Sequence, residues 1–199
     1  MLESAGMSEL RAKKIKLLLF DVDGVFTDGK LYFIPRTEPI DQPGPNTSSM
    51  IEVKGFHAHD GAAISLARLA GIKTGLITKR RSETVALRAR DLKLDYVYQG
   101  IQDKKGAFEE ILLKAGIPAS ETAFVGDDVI DLPAMRASGF AIAVANARSE
   151  VKEEAHYVTP HSGGEGAIRD ALDYILKAQG RLKETIERYI GETAPTPGN

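Results

Sequence analysis

Short, continuously apolar runs alternate with longer amphipathic segments along most of this chain, and that alternation restricts its fold more than any other feature. Residues 15–20 (IKLLLF) are apolar apart from Lys16, as in a strand buried on both faces. After Asp60, GAAISLARLA reads as a helix, with Asp60 as its N-cap and Gly71 as its stop. KTGLIT (73–78) reads as a strand, 82–91 as a helix and 96–98 as a short strand. A helix over 104–115 is ended by Gly116 and Pro118. A strand at 122–127, a helix at 130–138 and a strand at 140–145 follow. A short helix near 148–154, a strand at 157–159 and a helix at 165–179 complete the pattern. Strands alternating with helices pair in parallel through right-handed crossovers. The expected fold class is therefore α/β, a doubly wound parallel sheet whose ligand site lies beyond the C-terminal ends of the strands.

Two regions interrupt the alternation. Residues 30–35 and 50–56 look like two strands of a hairpin, joined by the turn-rich stretch TEPIDQPGPNTSS. After Gly180, RLKETIERYI can extend a helix, whereas GETAPTPGN has the composition of a disordered end. The chain is long enough for one full domain. The expected organisation is an N-terminal arm (1–14), one domain (15–180) with a hairpin inserted over 29–59, and a C-terminal tail (181–199). No stretch has the size of a separate cap domain.

Charge and composition narrow the partners. Lys and Arg number 26 against 28 Asp and Glu, a formal net charge of -2, which points to neither nucleic acid nor an anionic membrane. A small anionic substrate would need a local cationic site. With no cysteine, a metal must be held by oxygen or histidine. No signal-peptide core and no bilayer-length apolar run is present, so a cytoplasmic location is the expectation.

The chemistry concentrates at strand ends. Asp21-Val-Asp23-Gly-Val-Phe-Thr-Asp-Gly follows the first strand directly. Two carboxylates leaving a buried sheet together want a cation or solvent, because an unpaired buried charge is costly. The competing reading is a solvated Asp-Gly turn. A second cluster, Gly126-Asp127-Asp128-Val-Ile-Asp131, follows the strand TAFV. Two such clusters on one sheet edge would converge, and hard oxygen ligands suit Mg²⁺. Asp128 and Asp131 can equally be helix N-terminal residues that favour the dipole. Thr78 ends its strand with a hydroxyl that can donate to a phosphate oxygen, or can cap a helix. Lys104 opens a helix, and composition does not separate it from its neighbour Lys105.

The order Asp-x-Asp, Thr, Lys, Gly-Asp-Asp-x-x-Asp is far more specific than its parts, and with it the chain resembles the haloacid dehalogenase superfamily of phosphohydrolases. Further resembling stretches are FHAHDGAAI, GLITKRRS, YQGIQDKK, YVTPHSGGEGAIRD and ILKAQGRL. Within the superfamily the pattern is similar to the capless branch acting on 3-deoxy-D-manno-octulosonate 8-phosphate. The resemblance implies Asp21 as nucleophile, Asp23 as general acid and base, and Thr78 and Lys104 on the phosphoryl oxygens. It implies Mg²⁺ held by the Asp21 carboxylate, the Asp23 carbonyl and Asp127, with Asp128 and Asp131 in support. His59, Arg80 and Arg169 would face the sugar acid. It also implies a homotetramer in which the 29–59 hairpin covers a neighbour's site.

The chain departs from the family pattern where substrate is read. Lys79 stands where the family has Gly before Arg80, and His59 stands where it has Arg before Asp60-Gly61. A nine-carbon ulosonate 9-phosphate is therefore an alternative substrate. A catalytically silent module of the same fold is another alternative, opposed by the complete set of motif residues. A phosphoacceptor receiver domain would place its acidic metal pair first, the reverse of the order here. SGGEGA (162–167) is glycine-rich but matches neither a Walker A nor a dinucleotide motif.

Overall fold

The computed structural model describes residues 5–35 and 50–193. Six strands form one parallel sheet: β1 (Leu17–Phe20), β4 (Lys73–Thr78), β5 (Tyr96–Gln99), β6 (Thr122–Gly126), β7 (Phe140–Ala143) and β8 (Tyr157–Val158). Their order is β5-β4-β1-β6-β7-β8, so β1 lies centrally and the chain winds outward first to one side and then to the other. The doubly wound α/β architecture is the expected one. Every residue of β1 is buried, as its unbroken apolar run requires.

Helices cover both faces: α2 (Ala58–Leu69), α3 (Glu83–Leu92), α4 (Lys104–Ala115), α5 (Leu132–Ala137), α6 (Ser149–Glu154) and α7 (Ala167–Ala178). The core between the layers includes Phe20, Phe26, Phe108, Phe124 and Phe140, all below 2 % exposure. Each such side chain contributes about 1.5–3 kcal/mol by leaving water. Gly116 ends α4 in the left-handed region (φ 65°), where a Cβ would be strained.

Several boundaries differ from expectation for identifiable reasons. The N-cap of α2 is His57, whose side chain accepts from the His59 N–H, and Asp60 lies in the first turn. Asp60 is wholly buried, and its Oδ1 accepts the Arg169 N–H at 3.0 Å. It therefore satisfies the N-terminus of α7, whose own cap residue is Gly166 and has no side chain to offer. The helix expected over 130–138 splits into a 3-10 turn (Val129–Asp131) followed by α5.

Both terminal helices join the domain. Helix α1 (Ala5–Ala12), in the segment read as an arm, packs on α7 and β7. Ser8 Oγ donates to the His156 carbonyl, and Arg11 Nη1 donates to the Gly139 carbonyl at 3.0 Å. Helix α8 (Leu182–Thr193) packs on α2 and α7 and buries Thr185. Residues 191–193 are thus helical where disorder is expected from composition, and 194–199 lie outside the described residues.

The inserted hairpin consists of β2 (Tyr32–Pro35) and β3 (Met50–Val53), paired antiparallel with Phe33 opposite Glu52. Its strands are shorter than expected, and the connection 36–49 lies outside the described residues. Leu31, Tyr32, Phe33, Ile34, Met50, Ile51 and Val53 are all exposed. Among the described residues no helix is long and apolar enough to cross a membrane.

Candidate active site

The register of the sheet brings the two acidic clusters together. Phe20 pairs with Val125 on one side of β1 and with Leu76 on the other. Asp21 continues β1 by donating its N–H to the Val125 carbonyl at 3.0 Å. Asp21, Thr78 and Asp127 thus leave three adjacent parallel strands at the same edge of the sheet. Lys104 reaches that edge from the first turn of α4, where Asp103 caps the helix by accepting the Gly106 N–H at 3.0 Å.

At the centre stands a buried group of charges. Lys104 Nζ lies 2.9 Å from Asp21 Oδ1 and donates to Asp131 Oδ1 at 2.6 Å. Asp131 Oδ2 accepts the backbone N–H groups of Asp127 at 3.0 Å and Asp128 at 3.3 Å. Both oxygens of Asp131 are therefore occupied, and its role is to hold Lys104 and the turn. Asp128 is exposed and forms a capping box with Asp131, its Oδ1 accepting the Val129 N–H at 2.7 Å. For Asp128 the geometry is that of a helix cap.

Asp21, Asp127 and Asp131 each offer an oxygen within 4.8 Å of the others, the one such group among the described residues. Three carboxylates face a single ammonium, so the cluster lacks positive charge. Oδ1 of Asp127 is buried without a hydrogen-bond partner, and Oδ1 of Asp21 is buried in an ion pair with Lys104 at 2.9 Å. Burial first, and the charge of Asp131 second, push the Asp21 carboxyl up to about 7. The same two causes, in the same order, push Asp127 up to about 8. Buried carboxylates with too little positive charge, one of them with an orphaned oxygen, are what a hard divalent cation satisfies.

The loop after β1 is held in place from behind. Gly24 adopts φ +91°, and a Cβ there would lie 2.2 Å from Asp127 Oδ2. Gly163 admits no side chain, because a Cβ would meet the Gly24 carbonyl oxygen at 1.8 Å. Asn146 bridges the two segments: its Nδ2 donates to the Gly24 carbonyl at 3.2 Å and its Oδ1 accepts the Gly163 N–H at 2.7 Å. The glycine-rich SGGEGA is thus a packing surface for the acidic loop.

Asp23 sits beside the cluster and is partly exposed. Its Oδ1 accepts from Lys54 Nζ, and Arg80 Nε lies 3.7 Å from its Oδ2. Arg80 also donates to Glu52 Oε1 at 2.8 Å. Lys54 and Glu52 do not stand out in the sequence reading. Their spacing of two residues at the end of a strand, which puts both on one face, is the signal that marks them.

The other expected substrate residues have partners of their own. His59 is exposed, with its ring edge-on to His57 at 4.7 Å. Arg169 Nε donates to Asp173 Oδ1 at 2.8 Å, one turn along α7, which is an ordinary helix ion pair. His59 and Arg169 share a cavity with His161, Glu165 and Asp170.

Comparison with known proteins agrees with this fold. Residues 62–172 match the family model of haloacid dehalogenase-like hydrolases. The 3-deoxy-D-manno-octulosonate 8-phosphate phosphatase KdsC of Escherichia coli (strain K12) is 38% identical over 174 residues, covering 87% of this chain and 86% of that protein. The crystal structure of the 3-deoxy-D-manno-octulosonate 8-phosphate phosphatase from Yersinia pestis is 37% identical, with a TM-score of 0.80 and 90% of each chain covered. That from Moraxella catarrhalis, in complex with magnesium ion, phosphate ion and KDO, is 34% identical with a TM-score of 0.82, covering 94% of this chain and 99% of that one.

Proposed function

Since the chain belongs to the haloacid dehalogenase-like hydrolases, we propose that it is a Mg²⁺-dependent phosphatase that hydrolyses 3-deoxy-D-manno-octulosonate 8-phosphate through a phosphorylated Asp21. The observation that carries this reading is the buried group of Asp21, Asp127 and Asp131 facing the single ammonium of Lys104, with Asp127 Oδ1 unpartnered, at the sheet edge where the nucleophile must stand. The relatives named above carry that substrate in their names. On this reading the enzyme serves lipopolysaccharide precursor synthesis in the cytoplasm.

Asp21 and Asp127 would hold Mg²⁺, together with the Asp23 carbonyl by family resemblance. Bound there, the ion supplies positive charge that lets an anionic ester approach an anionic carboxylate. Asp21 attacks phosphorus, and the ester P–O bond breaks with its electron pair on the sugar oxygen. Asp23 gives that oxygen a proton. Asp23 then takes a proton from the water that attacks phosphorus, and the bond between phosphorus and Asp21 breaks. Lys104, held by Asp131, and the Thr78 hydroxyl bind the phosphoryl oxygens, whose charge spreads in the loose transition state.

Gly24 is part of this site because its missing Cβ leaves room for the Asp127 carboxylate. Gly24→Ala is expected to raise the Mg²⁺ concentration giving half-maximal activity by roughly ten-fold or more, the scale of disturbed metal-ligand support. A Mg²⁺ titration of the variant reads this directly, and an unchanged midpoint would separate Gly24 from the metal site.

The exposed apolar side chains on the hairpin support assembly as a homotetramer through residues 29–59, since such a surface is stabilised by a partner. His59 and Lys79 favour a second reading in one respect only, the sugar: a nine-carbon ulosonate 9-phosphate would use the same chemistry. Phosphate release from both esters, with Mg²⁺ and with chelator, tests the proposal. Strong Mg²⁺-dependent preference for the eight-carbon ester is the expected result. Preference for the other ester moves the substrate, and no turnover of either overturns the enzymatic reading.

A further inference from the structure

Resting on the reading of Asp23 as the proton-transfer group, we infer that Lys54 is a positioning residue that fixes which oxygen of Asp23 faces the reacting groups. Lys54 leaves the end of β3 and turns inward until its side chain is 1% exposed. Its Nζ contacts Asp23 Oδ1 and lies 3.5 Å from Glu52 Oε1. Glu52 Oε1 also accepts from Arg80 Nη2 at 2.8 Å, and Arg80 Nε faces Asp23 Oδ2 at 3.7 Å.

Two carboxylates and two cations thus close a ring. It ties together the loop after β1, the end of β3 and the loop after β4. A buried ammonium is tolerated only when paired. Lys54 is therefore the fixed member of the ring. Arg80, with 42% of its side chain exposed and its Nε beyond hydrogen-bond reach of Asp23, is the loose one.

The consequence is an asymmetry within one carboxylate. Oδ1 is held by Lys54, so Oδ2 is the oxygen left open to the reacting groups. In the first half-reaction the proton passes from Oδ2 to the leaving oxygen as the ester P–O bond breaks. In the second, Oδ2 takes a proton from water as the new P–O bond forms and the bond to Asp21 breaks. A lysine that merely anchored the hairpin would affect both half-reactions alike.

That difference can be read with p-nitrophenyl phosphate, whose leaving group departs without an acid. In Lys54→Met, phosphorylation of Asp21 is expected to survive while hydrolysis of the aspartyl-phosphate slows. Stopped-flow should show a burst of about one p-nitrophenolate per active site, the mark of a covalent intermediate that accumulates. The following steady rate should fall on the order of 100-fold from wild type, the scale of a general base removed. Glu52→Gln, which loosens Lys54 without deleting it, is expected to give the same burst with a smaller fall. Wild-type turnover in Lys54→Met overturns the inference, as does a folded variant in which burst and turnover are lost together. If Lys54→Met shows no cooperative melt, Glu52→Gln decides by the same criteria. A burst that persists in Asp21→Asn overturns the covalent reading itself, and this inference with it.

Discussion

Asp21→Asn is expected to abolish turnover while leaving the fold intact. The amide has nearly the shape of the carboxylate but lacks its charge and its nucleophilicity. Removal of a covalent nucleophile elsewhere lowers turnover by about 10⁶-fold, and an effect on that scale is expected here. The fold should tolerate the change because an amide oxygen can keep a contact that the Asp21 carboxylate makes, to the Val22 N–H or to Lys104. Its N–H to the Val125 carbonyl is a backbone bond that the substitution keeps. Lys104 retains Asp131, bonded at 2.6 Å. One of three crowded carboxylates becomes neutral, so the metal-free protein should melt no lower than wild type. Phosphate release and a thermal melt on the same preparation check both halves. Undiminished activity in a clean preparation would sink the mechanism.

The second large effect concerns metal removal and pH. Asp21 rises from 3.8 to about 7 and Asp127 from 3.8 to about 8, mainly because burial disfavours their charged forms. Between the unfolded and folded values the native state holds more protons than the unfolded chain. Stability then falls as pH rises, the reverse of a carboxylate that gains a cationic partner. In chelator, the melting temperature should therefore be highest near the acid end of the window from about 4 to about 8 and should drop across it. Mg²⁺ supplies the missing positive charge and should flatten that slope. Its stabilisation should be larger at the alkaline end, because ligands must be deprotonated to bind. A concentration of 100 times the dissociation constant adds about 2.7 kcal/mol, or roughly 5–11 °C in melting temperature for a chain of this size. Asp127→Asn should remove part of the slope and most of the Mg²⁺ response. A melting temperature that climbs with pH in chelator, or ignores Mg²⁺ at alkaline pH, would remove the cation from this site.

The parts of the site legible in the sequence are those fixed by the chain's own continuity. Asp21 and Asp127 each follow an apolar strand directly, and in a parallel sheet every strand ends on the same edge. Their convergence therefore follows from alternation alone. Lys104 is legible as the opening of a helix, but its choice over Lys105 is not. That choice depends on which side chain turns inward toward Asp131 rather than along the helix toward Glu109.

Asp60 shows the opposite case. Its sequence position marks it as a cap for the helix it precedes, yet it caps α7, more than a hundred residues later. Local pattern cannot reveal a donor that arrives from another element. Gly163 and Asn146 are unreadable for the same reason, since each matters through its approach to Gly24. Arg169 carries a plausible charge in the sequence, and only the geometry shows it committed to Asp173.

The sequence by itself determined the sheet, its direction and the edge at which chemistry is placed, because period and strand-end position are properties of neighbouring residues. Only the tertiary structure decided which charges meet. It set Lys104 between Asp21 and Asp131, and it left one oxygen of Asp127 unpartnered. It also drew Lys54 from the hairpin onto Asp23. Buried charges are stable only in combination, and the combination is made by segments far apart in the chain.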